Sequence, residues 1–304
     1  MPTWLRSSLV LVSSVAIAAL PLAAQQPSYD TVQIRPVRVA EGIYMLTGAG
    51  GNIGVSLGDD GTLLIDDQFA PLTAKIQAAV RGLTSQGVKY LINTHWHGDH
   101  VGGNENLGNA GVQIVAHDNV RARMSKDQFM PRFNQKVPAS PKVALPVVTF
   151  PDTVTFHLNG EDIVAFHVRN AHTDGDVMVK FTKANVVHAG DIYVRYGYPF
   201  IDESSGGSFL GILAGTERLL NVTNAETKYI PGHGALATRA DVAAYHKMLV
   251  TIRDRVRAAI KAKKSLKALL AAKPLADLDA EFGKGGFVKA DDIVTMAYGD
   301  LTKH

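Results

Sequence analysis

Between residues 32 and 67, apolar and polar positions alternate in four short runs, VQIRPVRVA, GIYMLTG, GNIGVSL and GTLLIDD. A period of two is the mark of strands with one face buried. Glu41-Gly42 and Asp60-Gly61 fall between runs and read as hairpin turns. The period then lengthens. TAKIQAAVRGLTSQG sets Ile76, Ala79, Val80 and Leu83 at helical spacing and ends on Gly87. VKYLINT is a short apolar run fit for a buried strand. VGGNENLGN and AHDNVRARMSKD read as short helices on either side of the strand VQIVA. Residues 131–152 hold five prolines and are expected to form a long surface loop.

The second half repeats this grammar. VTFHL, EDIVAFHV, DVMVKFT and NVVHAGD are strand-like, with turns expected at Asn159-Gly160 and Lys183-Ala184. GGSFLGILAGTERLL is helical, and KYIPGHG is a strand running into a glycine-rich loop. A long helix over about residues 240–262, a shorter one after Ser265 and a last one from Ala290 close the chain. Two rounds of strands and helices with no low-complexity linker predict an α/β domain of two sheets with helices outside.

Residues 1–24 stand apart. Arg6 precedes the apolar run SSLVLVSSVAIAAL, and small residues follow at PLAAQQP. That layout is expected of a secretory signal peptide cleaved after Ala24, which leaves residues 25–304 as one domain with a C-terminal helical extension. The expected location is periplasmic or secreted, without stable membrane insertion once the signal is removed. Net charge is only +3, and the richest basic run, RDRVRAAIKAKKSLK, is spaced as a solvated helix face. A small-molecule substrate is therefore expected, and nucleic acid is not. Nothing in the pattern fixes the oligomeric state. The chain has no cysteine, so thiolate chemistry is excluded and any metal must be held by nitrogen and oxygen.

The chemistry concentrates in NTHWHGDHVGG, residues 93–103, where the chain leaves the strand VKYLINT. His95 and His97 are two apart and point the same way in extended backbone. Asp99 and His100 follow on the next turn. Three more candidates each end a strand-like run: His172 in AHTDGD, Asp191 in VVHAGD and His233 in PGHG. His95, His97 and His172 suit one zinc with an open fourth position. Asp99, His100 and His233 suit a second, and Asp191 can bridge the two. Iron or manganese can use the same donors. Two such ions clamp the attacking and leaving atoms of a hydrolysis, and Asp99 is the candidate catalytic residue that orients the water. Asn52, Tyr193 and Arg195 are candidates for substrate contact, on segments expected to flank the site.

His-x-His-x-Asp-His, followed by His172, Asp191 and His233, resembles the metallo-β-lactamase-fold superfamily of metallohydrolases over roughly residues 40–235. The resemblance implies an αββα sandwich with the metals at one edge, and a structural role for Asp66 beside them. It implies metal-dependent hydrolysis of a cyclic amide or ester, with β-lactams the leading expectation. A lactonase or a thioesterase similar to glyoxalase II is the alternative. An iron-dependent oxygenase and a non-catalytic metal-binding protein are remoter ones. Two departures matter. The best-known β-lactamases place Cys where this chain has Asp191, and a carboxylate-binding Lys where it has Val194; Arg195 is the nearest cation.

Overall fold

The computed structural model describes Met1 and residues 28–303. The expected signal peptide lies outside the described residues. Among these, no helix is long and apolar enough to cross a membrane.

The first half opens with β1 (Arg35–Ala40), β2 (Ile43–Thr47), β3 (Ile53–Ser56) and β4 (Thr62–Ile65), an antiparallel meander whose turns fall where the glycine signals put them. Helix α1 (Thr73–Arg81) leads to β5 (Val88–Ile92) and then to two short helices, α2 (Gly98–Val101) and α3 (Asn104–Asn109). β6 (Gln113–His117) and α4 (Asp118–Met124) follow. The proline-bearing stretch is more ordered than the expected loop. It forms a hairpin flap of β7 (Gln128–Met130) and β8 (Gln135–Val137), then an edge strand β9 (Val148–Phe150) parallel to β6. Prolines 146 and 151 flank β9 rather than interrupt it, and an edge strand tolerates the donors they lack. The resulting seven-stranded sheet has the order β1-β2-β3-β4-β5-β6-β9.

β10 (Thr153–Leu158), β11 (Glu161–His167), β12 (Val177–Phe181), β13 (Val186–His188) and β14 (Lys228–Ile230) form the second sheet in that order. Helix α5 (Phe209–Asn221) crosses between β13 and β14, which pair in parallel. The chain ends with α6 (Arg239–Lys261), α7 (Leu266–Ala271), a one-turn α8 (Asp279–Phe282) absent from the sequence reading, and α9 (Ala290–Lys303). A capping box of Thr238 and Asp241 starts α6, a device worth about 1 kcal/mol.

Strand alternation sorts the core into three layers. Leu63 and Ile65 face inward to meet Ile163, Val177, Val179 and Phe181 between the sheets, whereas Leu64 faces outward to Ile76 and Val80 of α1. Met178 and Val187 face the other way, into Ile212, Leu249 and Ile293 of α5, α6 and α9. Each such side chain, fully buried, contributes on the order of 2 kcal/mol. The architecture is an αββα sandwich, and the strand ends that carry the candidate ligands gather at one edge of it.

Candidate metal centre

The two sheets bring the seven sequence-predicted ligands together. His95, His97 and His172 form one group whose ligand atoms lie within 4.8 Å of one another. Asp99, His100 and His233 form another, and His95, His100 and Asp191 a third between them. His97 Nδ1 and His172 Nε2 are 2.8 Å apart, and the Nε2 atoms of His100 and His233 are 3.3 Å apart. Asp191 sits between the groups, with Oδ1 3.3 Å from His100 Nε2 and Oδ2 3.7 Å from His172 Nε2 and 3.5 Å from His233 Nε2. Asp99 Oδ2 lies 3.2 Å from His233 Nε2.

What surrounds the rings fixes which nitrogen faces inward. His172 Nδ1–H donates to the Phe200 carbonyl at 2.8 Å, and His97 Nε2–H to Asp202 Oδ2 at 3.0 Å. His100 Nδ1–H donates to Asp66 Oδ2 at 2.7 Å. The Thr94 hydroxyl gives its proton to Asp66, so it accepts from His95 Nδ1–H at 3.0 Å. In their neutral forms the inward nitrogens of these four rings are therefore bare. Two bare nitrogens at 2.8 Å repel unless a cation stands by them. His95 Nε2 and Asp191 Oδ1 are buried and make no hydrogen bond. Buried polar atoms are normally paired, so this donor set is compatible with metal ions. The approach is close enough to dictate two glycines. A Cβ on Gly51 would strike the His100 ring, and one on Gly232 would strike Asp191 Oδ1.

Charge is balanced inside the cluster. Burial and the neighbouring His97 hold His172 down at about 4, and burial with the His100, His172 and His97 rings holds His95 well below its usual range. Burial also opposes charge on His233, but Asp191 and Asp99 outweigh it and lift that ring to about 9. Asp99 is drawn down to about 2, because His100 and His233 overcome the effect of burial. In the metal-free chain, protons thus stand in for cations. His233 stabilises the fold fully below its ordinary 6.5 and loses that contribution as pH rises through about 9. His172, depressed, favours unfolding as pH falls from 6.5 toward 4. The metal-free protein is expected to be most stable near pH 6.5, with an alkaline decline that bound metal removes by displacing the proton. Denaturation across that range with and without chelator checks this; a metal-free chain that gains stability up to about pH 9 would contradict it.

Asp202 and Asp176 escaped the sequence reading. Asp202 holds His97 and accepts from the Ser205 hydroxyl, which in turn accepts from Trp96 Nε1. Asp176 accepts from the backbone of His172 and Thr173 and fixes the His172 loop. Burial raises its carboxyl to about 8 even though those donors oppose the rise. Asp176 opens the run DVMVKFT and Asp202 lies in the loop beyond Asp191, so neither has the strand-end position that marked the candidate ligands. The expected substrate contacts need correction. Asn52 is buried and donates to the Pro231 and Gly234 carbonyls, so it braces the His233 loop. Tyr193 is buried against Tyr245 in the helical layer. Arg195 is drawn to the Leu236 carbonyl and to Asp241 at the start of α6. None of the three lines the cavity that opens onto the ligands, which holds about 510 Å³ and is walled by His97, Asp99, Asp191 and His233 together with Trp96, Phe133, Tyr196, Phe200 and Phe287.

Fold and donor set define a class of protein, and the comparisons agree. The chain belongs to the metallo-beta-lactamase superfamily, whose family model matches residues 46–271. Solved structures share the fold at low identity. A metallo-beta-lactamase from Pontibacter korlensis is 18% identical, with a TM-score of 0.59 over 71% of this chain and 99% of that one. The DIM-1 metallo-beta-lactamase is 18% identical, with a TM-score of 0.58 over 72% and 99%. FIM-1 from Pseudomonas aeruginosa, solved in its mono-zinc form, is 17% identical, with 0.57 over 72% and 95%.

Proposed function

We propose that this chain is an exported, dinuclear zinc hydrolase that cleaves a cyclic amide or ester. The observation that carries the reading is the convergence of bare, buried imidazole nitrogens and Asp191 on the floor of an open cavity. His95, His97 and His172 would hold one ion and Asp99, His100 and His233 the other, with Asp191 shared. Imidazole and carboxylate donors suit zinc, with iron or manganese as alternatives. When bound, the metals supply Lewis acidity and a water acidic enough to ionise near neutral pH.

The chain's own groups do the rest. Asp99, whose side chain is 30% exposed at the cavity floor, is placed to orient a water there and would accept a proton at Oδ2. Asp202, Phe200 and Asp66 fix the rings so that no ligand must reorient as charge develops. β-Lactams are the first substrates to test, because the solved relatives carry that activity in their names. One observation favours a lactone instead: among the described residues no Lys or Arg lines the cavity, and Arg195 is engaged elsewhere, so no side-chain cation is at hand for a substrate carboxylate.

Elemental analysis of the purified protein is expected to give two metals per chain. A panel of β-lactams, lactones and thioesters should show turnover that a chelator removes. Saturation at one metal, or no hydrolysis of any of these by fully loaded protein, would sink the reading. Export predicts a mature amino terminus near Gln25 in periplasmic material; recovery of the chain with Trp4 still attached would overturn that part.

A further inference from the structure

Three phenylalanines from distant parts of the chain meet at the mouth of the cavity. Phe133 lies between β7 and β8 in the flap, Phe200 on the loop after β13, and Phe287 between α8 and α9. Their ring centroids are 5.4 Å apart for Phe133 and Phe200, 5.7 Å for Phe133 and Phe287, and 5.5 Å for Phe200 and Phe287. Phe200 is buried and stacks on the ligand His97 at 6.0 Å. Phe133 and Phe287 remain 47% and 45% exposed. Large aromatic surface left open above a ligand cluster is surface kept for a ligand.

Two further features define that ligand. A bidentate pair, Arg132 Nη1 to Asp292 Oδ1 at 3.0 Å and Nη2 to Oδ2 at 2.8 Å, ties the flap to the first turn of α9. Arg132 Nη2 also donates to the Phe287 carbonyl at 3.2 Å, so one guanidinium holds both jaws in register. Among the described residues, the titratable groups facing the cavity floor are His97, His233, Asp99 and Asp191, with no lysine or arginine beside them. At the mouth, beyond the ligand groups, a charged end would lie among the rings of Phe133, Phe200 and Phe287 with no lysine or arginine of the described lining to pair it.

We infer that the segment after residue 271, which lies beyond the family match, completes the substrate site: Phe287 and Phe133 close over Phe200 as a clamp for a bulky, uncharged apolar group, an aryl ring or an alkyl chain. This rests on the hydrolase reading for the position of the reacting carbonyl. It adds which end of the substrate carries specificity and which residues read it.

The test uses γ-lactams, which resist hydrolysis, bearing butyl, hexyl or octyl chains, with an octyl analogue ending in carboxylate. Calorimetry on the full-length, metal-loaded chain is expected to show affinity rising about two- to fourfold per methylene. The carboxylate-ended analogue should bind at least about tenfold more weakly than the octyl probe. Phe133→Ala and Phe287→Ala should each flatten the chain-length dependence, and Phe287→Leu should keep most of it. Both rings are half exposed, so truncation opens no core. Affinity indifferent to chain length, or an unchanged slope in the double alanine variant, overturns the clamp. If the slope holds and no ester, lactone or β-lactam is hydrolysed, the hydrolase reading fails and the clamp stands. Turnover with a flat slope removes the clamp alone.

Discussion

His97→Ala is expected to lower turnover at least about a thousandfold while leaving the fold in place, because losing the metal forfeits several kcal/mol of transition-state stabilisation. His97 is one of three rings in its group, and its Nδ1 is 2.8 Å from His172 Nε2. Removing it leaves two imidazoles, too few for a closed set of protein ligands at a zinc with one open position. The ring packs against Trp96, His172 and Phe200 at the cavity, not between the two sheets, so its loss leaves the strand-to-strand core in place. His97 belongs to none of the three apolar clusters, and Asp202 keeps its bonds from Ser204 and Ser205. Metal content, circular dichroism and turnover should therefore separate: one ion fewer, an unchanged spectrum and no reaction. A folded variant with full metal content and full activity would show that the first group is not the reaction centre.

The cluster of candidate ligands was legible because its later members obey one local rule, an apolar strand followed within a few residues by a donor and a glycine-bearing loop. His172, Asp191 and His233 fit it, and a sheet brings such strand ends together whatever its exact order. The layers were legible for the same reason: Leu63, Leu64 and Ile65 alternate in sequence as they do between core and helix. What stayed hidden depends on contacts between distant segments. Arg195 looked like a free cation near Asp191, but its partner Asp241 lies on a helix that the sequence places far away. Asn52 looked like a wall of the site, yet its amide serves the backbone of Pro231 and Gly234. β9 was hidden by its prolines, which mark its ends and not its absence. The Phe133–Phe287 contact joins a flap to a C-terminal loop, and no periodicity encodes such a meeting.

Asp66→Ala is expected to cost about 3 kcal/mol or more of stability and to weaken binding of a metal by about ten- to a hundredfold, although Asp66 is not among the seven proposed ligands. Its carboxylate is fully buried and accepts three bonds, from Thr94 N and Thr94 Oγ1 at 2.7 Å each and from His100 Nδ1 at 2.7 Å. It thereby pins the start of the ligand loop and sets the His100 tautomer. It also holds φ at 64°, a left-handed conformation that alanine adopts at a further cost of about 1 kcal/mol. Asp66→Asn separates the two roles. Asparagine tolerates that φ, and its carbonyl can still accept from Thr94 N. Its amide, however, presents donors where the Thr94 hydroxyl and His100 Nδ1–H also donate. His100 must then turn its proton to Nε2, the atom that faces His233 and Asp191. The asparagine variant should therefore keep more stability than the alanine variant while losing metal affinity to a similar degree. Chemical denaturation and competition against a chelator measure the two effects independently. Asp66→Asn binding metal as tightly as the parent would mean that Asp66 braces the loop and does not set the His100 proton.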